Sequence, residues 1–218
     1  MMIRVVIADD HAMIRAGLRL VAENAPGVDV VGEAADGVEA VAVTRRERPD
    51  VLLLDIAMPR LDGLAAATTL LADPAPPRIV MLTTFGSDEN LHAALRTGVS
   101  GFLLKSSPPE HLVEAVRVAA AGDGMIDPAV TLRVIASFAA QPVLSPPPEL
   151  ATLTARELDV LRLLTRGLSN REIAAEAGIG EATIRGHVAQ VLRKLGVRDR
   201  LQAVVLAYES GFVRPGRP

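Results

Sequence analysis

Two kinds of hydrophobic pattern alternate along the first 121 residues. Short apolar runs rich in β-branched residues are separated by longer amphipathic stretches, such as Met13–Glu23 and Pro109–Ala121. Runs that are apolar throughout predict strands buried on both faces, and strands that alternate with helices predict a parallel sheet covered by helices on both sides. We therefore expect five βα units, with strands at Ile3–Ala8, Val28–Val31, Val51–Leu54, Ile79–Leu82 and Gly101–Leu104.

Polar residues with related chemistry follow four of these strands. Asp9 and Asp10 follow the first predicted strand, and Asp55 follows the third. Thr83 follows the fourth strand and Lys105 follows the fifth. Because ligands of open parallel sheets bind beyond the carboxyl ends of the strands, we expect these five side chains to meet on one rim of the sheet.

This set of side chains matches a magnesium-assisted phosphoryl-transfer site. Mg²⁺ prefers carboxylate oxygens, which Asp9, Asp10 and Asp55 supply, and an aspartate can accept a phosphoryl group covalently. Lys105 and the Thr83 hydroxyl would neutralise the phosphoryl oxygens. A lone acid at a strand end is more often a helix cap, a role that Asp10 also fits. The joint placement of all five residues on one rim favours the phosphoryl-transfer interpretation.

The composition changes after the fifth βα unit. Gly122–Gly124 is followed by a helical pattern over residues 128–140 and by a proline-rich stretch over residues 141–148. Consecutive prolines end helical structure and favour an extended spacer. We expect a first domain at 1–124, a linker helix and proline-rich tether at 125–148, and a second domain at 149–218.

The second domain carries clear signals for helix ends. Thr154–Glu157 and Ser169–Glu172 both match the capping-box pattern, and Gly178 and Gly180 fit a tight turn between two helices. A helix seated on such a turn is typical of the DNA-binding helix-turn-helix. Its apolar stripe is Ile184, Val188, Val191 and Leu195, and the polar residues off that stripe are Thr183, Arg185, Gln190 and Arg193. An ordinary solvated face is the alternative interpretation of those polar residues.

Composition and charge narrow the class of protein. The chain has no cysteine, which fits a reducing compartment, and we expect a cytoplasmic protein. No uncharged apolar stretch approaches the roughly 18 residues of a membrane span, so a membrane location is not expected. Residues 1–148 carry 12 basic and 18 acidic side chains, whereas residues 149–218 carry 11 basic and 8 acidic ones. The basic second domain is compatible with a DNA partner.

Residues 3–121 resemble the receiver domain of two-component signalling. The motifs that carry this resemblance are Asp9-Asp10, Asp55 with Met58-Pro59 and Asp62-Gly63, Thr83, and Gly101–Lys105. The resemblance implies a flavodoxin-like α/β fold with strand order 2-1-3-4-5. It further implies that Asp55 is the phosphoacceptor, that Asp9 and Asp10 help to hold Mg²⁺, and that Thr83 and Phe102 form a switch pair.

Residues 153–213 resemble the LuxR-type helix-turn-helix. The matching motifs are Leu153–Glu157, Gly167–Ala174, Thr183–Val188, Lys194–Val197 and Asp199-Arg200. The chain is thereby identified as a member of the NarL/FixJ family of response regulators. This resemblance implies that a sensor histidine kinase phosphorylates Asp55 and thereby controls homodimerisation and binding to double-stranded DNA. RNA polymerase is a further candidate partner, and the last helix, about Asp199–Ser210, would mediate dimerisation of the DNA-binding domain.

The same resemblance assigns DNA contacts. Arg185 is the candidate for base edges, with Gln190 and Arg193 on the same outward face. Thr183, Lys194 and the backbone amides near Ser169 and Asn170 suit phosphate contacts. The chain departs from the family pattern at Gly186 and Ala189, where relatives often carry larger or basic side chains. Either the backbone approaches DNA closely at Gly186, or this helix reads fewer base edges; both remain open.

Three alternatives share parts of this pattern. An aspartate-nucleophile phosphatase or phosphotransferase typically needs a second acid two residues after the first, and residue 57 is alanine. A P-loop nucleotide switch is disfavoured because the chain has no GxxxxGK[ST] motif. A receiver that works without phosphate is disfavoured because the acidic pair, Asp55, Thr83 and Lys105 are all present. We therefore expect a regulator rather than an enzyme.

Overall fold

The computed structural model describes residues 2–84, 93–94, 96–127 and 147–213. The chain divides into two compact units, residues 1–134 and residues 135–218, and this division falls inside the predicted linker. The predicted helix over 128–140 and residues 141–146 of the predicted tether lie outside the described residues. Within the described ranges, the model contains no helix with the length and apolarity that a membrane crossing requires.

The first unit is built around a parallel sheet covered by helices. Its strands are β1 (Ile3–Ala8), β2 (Val28–Ala34), β3 (Val51–Asp55), β4 (Arg78–Thr83), β5 (Gly101–Leu104) and β6 (Met125–Ile126). They lie in the order β2-β1-β3-β4-β5-β6, and every neighbouring pair is parallel. The predicted α/β fold and the order of its first five strands are confirmed. The helices described for this unit are α1 (Ala12–Glu23), α2 (Gly37–Glu47), α3 (Gly63–Leu71) and α4 (Pro109–Ala120).

The sixth strand is an addition to the predicted sheet, because the sequence analysis assigned its residues to the linker. The Met125 amide donates to the Ser100 carbonyl at 3.1 Å, and the Asp127 amide donates to the Phe102 carbonyl at 2.8 Å. A Cβ at position 101 would lie 3.1 Å from the Met125 carbonyl oxygen, so glycine there permits the close approach of β6. A strand of two residues is too short to show a period-2 pattern.

The central strand β3 is buried, and the chain turns back tightly after it. The residues of β3 are buried throughout, as an uninterrupted apolar run predicts for a central parallel strand. The chain after β3 folds back closely, since the Gly63 amide donates to the Ile56 carbonyl at 2.8 Å. A Cβ at position 63 would lie only 2.0 Å from the Asp55 carbonyl oxygen. Glycine at position 63 is therefore required by packing against the end of β3.

The described part of the second unit, residues 147–213, contains a short 3-10 helix, Pro148–Thr152, and four α-helices. These are α5 (Ala155–Thr165), α6 (Asn170–Ala177), α7 (Glu181–Leu195) and α8 (Arg200–Glu209). Both predicted capping boxes form, at the starts of α5 and α6. The C-cap of α6, Gly178, has φ 66°, a left-handed conformation that glycine adopts readily, and Gly180 is the N-cap of α7. The apolar stripe of α7 is buried as predicted and packs on the other helices of this unit.

Candidate functional site

The carboxyl ends of neighbouring strands bring the predicted rim residues together. Asp55 is the last residue of β3 and Thr83 is the last residue of β4. Asp9 follows β1 directly, and Lys105 follows β5. The parallel registers pair Asp55 with Leu82, so the ends of β3 and β4 lie level. The sheet thus places two carboxylates, a hydroxyl and an ammonium on one rim.

Lys105 bridges the two buried carboxylates of this rim. Its Nζ lies 2.8 Å from Asp55 Oδ2 and 2.6 Å from Asp9 Oδ2. Burial raises the pKa of the Asp55 carboxyl, and the hydrogen bond from Lys105 acts in the opposite direction. Burial alone would lower the pKa of Lys105, but its hydrogen bonds to Asp55 and Asp9 raise it above the usual value. The lysine side chain is only 6% exposed, so these charges interact with little solvent between them.

The donor set of the rim fits a divalent cation. Asp9 and Asp55 share a single ammonium, and Asp10 adds a third carboxylate at the edge of the rim, with its side chain 29% exposed. Asp9, Asp10 and His11 each offer a ligand atom, and these atoms lie within 4.8 Å of one another. Carboxylate oxygens are hard ligands suited to Mg²⁺, and a cation would offset the excess negative charge.

Asp10 does not fill the alternative role of helix cap. The N-cap residue of α1 is His11, whose side chain makes no capping hydrogen bond. Asp10 Oδ1 lies 2.7 Å from His11 Nδ1, and the His11 amide donates to Asp9 Oδ1 at 2.9 Å. The Asp10 carboxylate therefore faces the rim and His11 rather than the first turn of α1.

The predicted switch pair lies on two adjacent strands beside Lys105. Thr83 is buried, and its carbonyl accepts a hydrogen bond from the Lys105 amide at 2.7 Å. Phe102 is fully buried in β5 and pairs in register with Met81 of β4. Thr83 is thus one strand away from Asp55 and Phe102 is two strands away, and Phe102 packs inside the unit in this structure.

Two arginines that were not predicted to be site residues connect separate elements of the first unit, and one of them, Arg15, contacts the rim residue Asp9. Arg15 of α1 donates from Nη1 to the Asp9 carbonyl at 2.7 Å and from Nε to Glu33 at 3.1 Å. Arg60, in the loop after β3, has φ 65° and donates to Asp36 at 2.7 Å. Their partners lie 6 to 24 positions away along the chain, and no sequence pattern used above links them.

A buried carboxylate outside the predicted site lies at the end of β6. Asp127 is 2% exposed and accepts a hydrogen bond from the Ser107 hydroxyl. Ser107 belongs to the turn that follows Lys105, since its amide donates to the Leu104 carbonyl at 3.0 Å. Asp127 lies in the stretch predicted to be a linker, because a short edge strand gives no sequence signal.

The second unit presents the polar face predicted for α7. Thr183, Arg185, Gln190 and Arg193 are all exposed, and the Arg193 guanidinium donates to the Gln190 side-chain oxygen. Gly186 and Ala189 are exposed between them. A helix with a buried apolar stripe and outward arginine and amide groups has the chemistry of a helix that enters the major groove.

At the start of α6, both the hydroxyl and the backbone amide of Ser169 are bonded to Glu172. The Ser169 hydroxyl accepts from the Glu172 amide at 3.3 Å and donates to Glu172 Oε2 at 2.7 Å, while the Ser169 amide donates to the same carboxylate at 2.8 Å. Asn170 begins the helix and is half-buried. Helix N-termini attract phosphate through their backbone N–H groups.

Lys194 differs from the other predicted DNA contacts because its ammonium lies against the protein. Its Nζ lies 2.7 Å from Glu157 Oε2 and 3.1 Å from the Thr152 carbonyl oxygen. Its side chain is 26% exposed. The hydrogen bond from Lys194, together with that from the Thr154 amide, lowers the pKa of Glu157 to about 2.

Two family models match the chain, one for each unit. The model described as "Response regulator receiver domain" matches residues 5–117, and the model described as "Bacterial regulatory proteins, luxR family" matches residues 151–207. The matched ranges contain the rim residues and α7, respectively. The first unit is therefore a receiver domain and the second is a LuxR-type DNA-binding domain.

Curated relatives and solved structures match along nearly the whole chain. The uncharacterized transcriptional regulatory protein YxjL of Bacillus subtilis is 37% identical over 97% of this chain and 98% of its own length. The transcriptional regulatory protein LiaR of the same organism is 35% identical over 97% of this chain and 100% of its own length. The crystal structure of the response regulator ChrA, from a heme-sensing two-component system, is 33% identical over 97% of this chain and 99% of that chain, with a TM-score of 0.54.

The chain belongs to the family of two-component response regulators that join a receiver domain to a LuxR-type DNA-binding domain. Its role is that of this family, transcription regulation controlled by phosphorylation, and it is a regulator rather than an enzyme.

Proposed function

We propose that Asp55 is the phosphoacceptor and that its phosphorylation controls homodimerisation and sequence-specific DNA binding. The observation that carries this proposal is the buried bridge of Lys105 between Asp55 and Asp9 at the level carboxyl ends of the strands. An ammonium held between two carboxylates stands where a phosphoryl group on Asp55 would place new negative charge. Lys105 would then bind phosphoryl oxygens, as would the hydroxyl of Thr83.

The reaction is transfer of a phosphoryl group from a phosphohistidine of a sensor histidine kinase. A carboxylate oxygen of Asp55 bonds to phosphorus while the bond from phosphorus to the donor imidazole nitrogen breaks. That nitrogen keeps the electron pair and takes up a proton from solvent. Asp9, Asp10 and Asp55 would hold Mg²⁺, which when bound offsets charge on the phosphoryl oxygens. Thr83 and Phe102 form the switch pair in this proposal, with repacking biased by the added charge.

The DNA-binding proposal assigns base reading to the exposed face of α7. Arg185 near its amino end contacts base edges, with Gln190 and Arg193 further along the same face. Thr183 and backbone amides near Ser169 and Asn170, in the first turn of α6, contact phosphates. The partner is double-stranded DNA, bound by a homodimer in the bacterial cytoplasm, and contact with RNA polymerase on that DNA completes the proposed set of partners. We place the receiver domain at 1–124 and extend it through β6 to residue 126, with a linker over the rest of 125–148 and the DNA-binding domain at 149–218.

The phosphoacceptor assignment is tested by mass. The full chain is incubated with acetyl phosphate and Mg²⁺, and intact mass spectrometry measures the phosphorylated fraction of wild type and of Asp55→Asn. Asp29→Asn is the matched control because Asp29 is an exposed carboxylate in β2 of the same sheet. We expect one phosphoryl group on wild type and on the control, and none on Asp55→Asn. An equal adduct on Asp55→Asn would contradict the assignment.

A further inference from the structure

The last turn of α7 is tied to the start of α5 by a cluster of hydrogen bonds around Glu157. The Glu157 Oε2 atom lies 2.7 Å from Lys194 Nζ, and it also accepts from the Thr154 amide at 2.7 Å and from the Thr154 hydroxyl at 3.0 Å. Lys194 adds a hydrogen bond to the Thr152 carbonyl at 3.1 Å. A single lysine therefore connects α7, the 3-10 helix and the capping box of α5.

The two capping boxes of this domain differ in the surroundings of their glutamates. Glu157 is buried, with a side chain only 7% exposed, and it meets Lys194 from a helix that begins 24 residues later. Glu172 makes the equivalent capping contacts with Ser169 but is exposed to solvent. Helix capping alone requires no burial, as Glu172 shows, so the burial of Glu157 points to a task beyond capping α5.

The other contacts that hold α7 in the domain suggest what the buried Glu157 contributes. Its buried contacts are the apolar stripe Ile184, Val188, Val191 and Leu195. Apolar packing is non-directional, so it resists separation of the helices more than a small rotation of α7 about its own axis. A charge-assisted hydrogen bond at the flank of the stripe is directional and opposes such rotation. Lys194 lies nine residues after Arg185, roughly 14 Å along a rigid helix, so a rotation at one end moves the other end too.

We propose that Lys194 and Glu157 are positioning residues for DNA recognition: their ion pair sets the orientation of α7, and Lys194 acts through that pair rather than by contacting a phosphate. This inference rests on the proposed DNA-binding role of α7. Neutralising Glu157 removes a negative charge from a DNA-binding domain, which by electrostatics alone would strengthen DNA binding. The positioning role predicts the opposite, a weaker affinity for the operator.

The test measures operator binding by the full chain after treatment with acetyl phosphate and Mg²⁺. The operator is first selected by wild-type protein from a random duplex library. The affinity of wild type, Glu157→Gln and Glu172→Gln is then measured by fluorescence anisotropy on operator and on random duplex at several salt concentrations. We expect Glu157→Gln to lose at least about fivefold in operator affinity, the lower end of typical coupling between two sites, and to change little on random duplex. The matched control Glu172→Gln should change operator affinity by less than about twofold, because its glutamate has no bond to α7.

Salt dependence separates positioning from phosphate contact at Lys194. Loss of one phosphate contact lowers the slope of log K against log salt by about 0.9. We expect Lys194→Met to leave the slope unchanged in a Glu157→Gln background, and the double variant to bind the operator as weakly as Glu157→Gln alone. Circular dichroism checks the helical content of each variant. If Glu157→Gln alone unfolds, the double variant is compared with wild type instead, and it should lose at least about fivefold in operator affinity with an unchanged salt slope.

Three outcomes overturn the inference. Tighter or unchanged operator binding by Glu157→Gln would remove the positioning role. A drop of about 0.9 in the salt slope of the double variant relative to Glu157→Gln would assign Lys194 to a phosphate. Failure of wild-type protein to select any duplex would instead contradict the proposed function itself, and the inference with it.

Discussion

The charged side chains of the receiver rim are buried, whereas those on the outward face of α7 are exposed to solvent. On the rim, Asp9, Asp55 and Lys105 are almost completely buried and contact one another. On α7, Arg185 and Arg193 are exposed beside small residues. A covalent phosphoryl group is sensed by a few charges held in a site of low dielectric, where each is strong. A DNA duplex must instead enter from solvent and meet side chains that are free to reach it.

This contrast also separates the residues that hold structure from those that read a partner. Lys105 and Lys194 both bind carboxylates inside their domains, at 2.8 Å and 2.7 Å respectively. Lys105 lies where a phosphoryl group would arrive, whereas Lys194 lies behind the face that would meet DNA. The same ion-pair chemistry therefore serves a switch in one domain and a brace in the other.

Removal of the rim ammonium should have the largest effect on stability. Lys105→Met leaves two buried carboxylates without their shared cation, and we expect the free energy of unfolding of the receiver domain to fall by about 3 kcal/mol in Mg²⁺-free buffer. Added Mg²⁺ should recover part of this loss, since a bound cation again offsets the charge. Hydrogen exchange of the β1 and β3 amides in urea measures the effect. The control, Lys105→Met with Asp9→Asn, should lie closer to wild type; equal stability of Lys105→Met and wild type without Mg²⁺ would argue against the bridge.

The second largest effect is expected from loss of Arg185, the candidate contact to base edges. Arg185→Ala removes a side chain that can donate two hydrogen bonds to guanine, and we expect operator discrimination to fall by about 1–3 kcal/mol. Binding to random duplex should change less. Anisotropy titrations of the full chain on both duplexes measure the difference. Equal losses on operator and random DNA would reassign Arg185 to the backbone.

Gly186 distinguishes the two explanations left open for the small residues of α7. Apart from its chain neighbours and the nearby backbone of α7 itself, no atom of the described residues lies within 4 Å of a Cβ built at position 186, so alanine fits without a clash in the free protein. Gly186→Ala should stabilise the DNA-binding domain by up to about 1 kcal/mol. Tyr208, in α8, is the only tyrosine, and the chain has no tryptophan, so intrinsic fluorescence follows this domain alone. Weaker operator binding by the more stable variant would support close backbone approach, and unchanged binding would support a helix that reads fewer bases.

The smallest predicted effect appears only in acid. The pKa of Glu157 is lowered to about 2 from its usual 4.5, so its ionised form stabilises the folded domain above pH 4.5. That contribution is lost as the pH falls from 4.5 toward 2. Tyr208 fluorescence should therefore show the stability difference between wild type and Glu157→Gln shrinking across this range. A difference that stays constant with pH would contradict the ion pair.

The sequence predicted those features whose signals are local. The positions of the strands followed from apolar runs, although β2 continues three residues past its predicted end to Ala34, and β3 and β4 each end one residue later than predicted. The capping boxes followed from a spacing of three residues and were confirmed. The partner of Lys194 lies 37 positions away in α5, and that of Arg15 lies in β2, so no period or motif links them. The strand β6 has two residues and pairs through Gly101, a contact visible only after folding. Outside the rim, where the ends of neighbouring strands predicted which side chains meet, the sequence alone could not show long-range pairing of side chains.

The central claim is that phosphorylation of Asp55 controls DNA binding by α7. The direct measurement is the operator affinity of the full chain before and after treatment with acetyl phosphate and Mg²⁺, for wild type and Asp55→Asn in parallel. We expect wild type to bind at least about fivefold more tightly after treatment, and Asp55→Asn to show no change. An equal gain in affinity by Asp55→Asn would contradict the account.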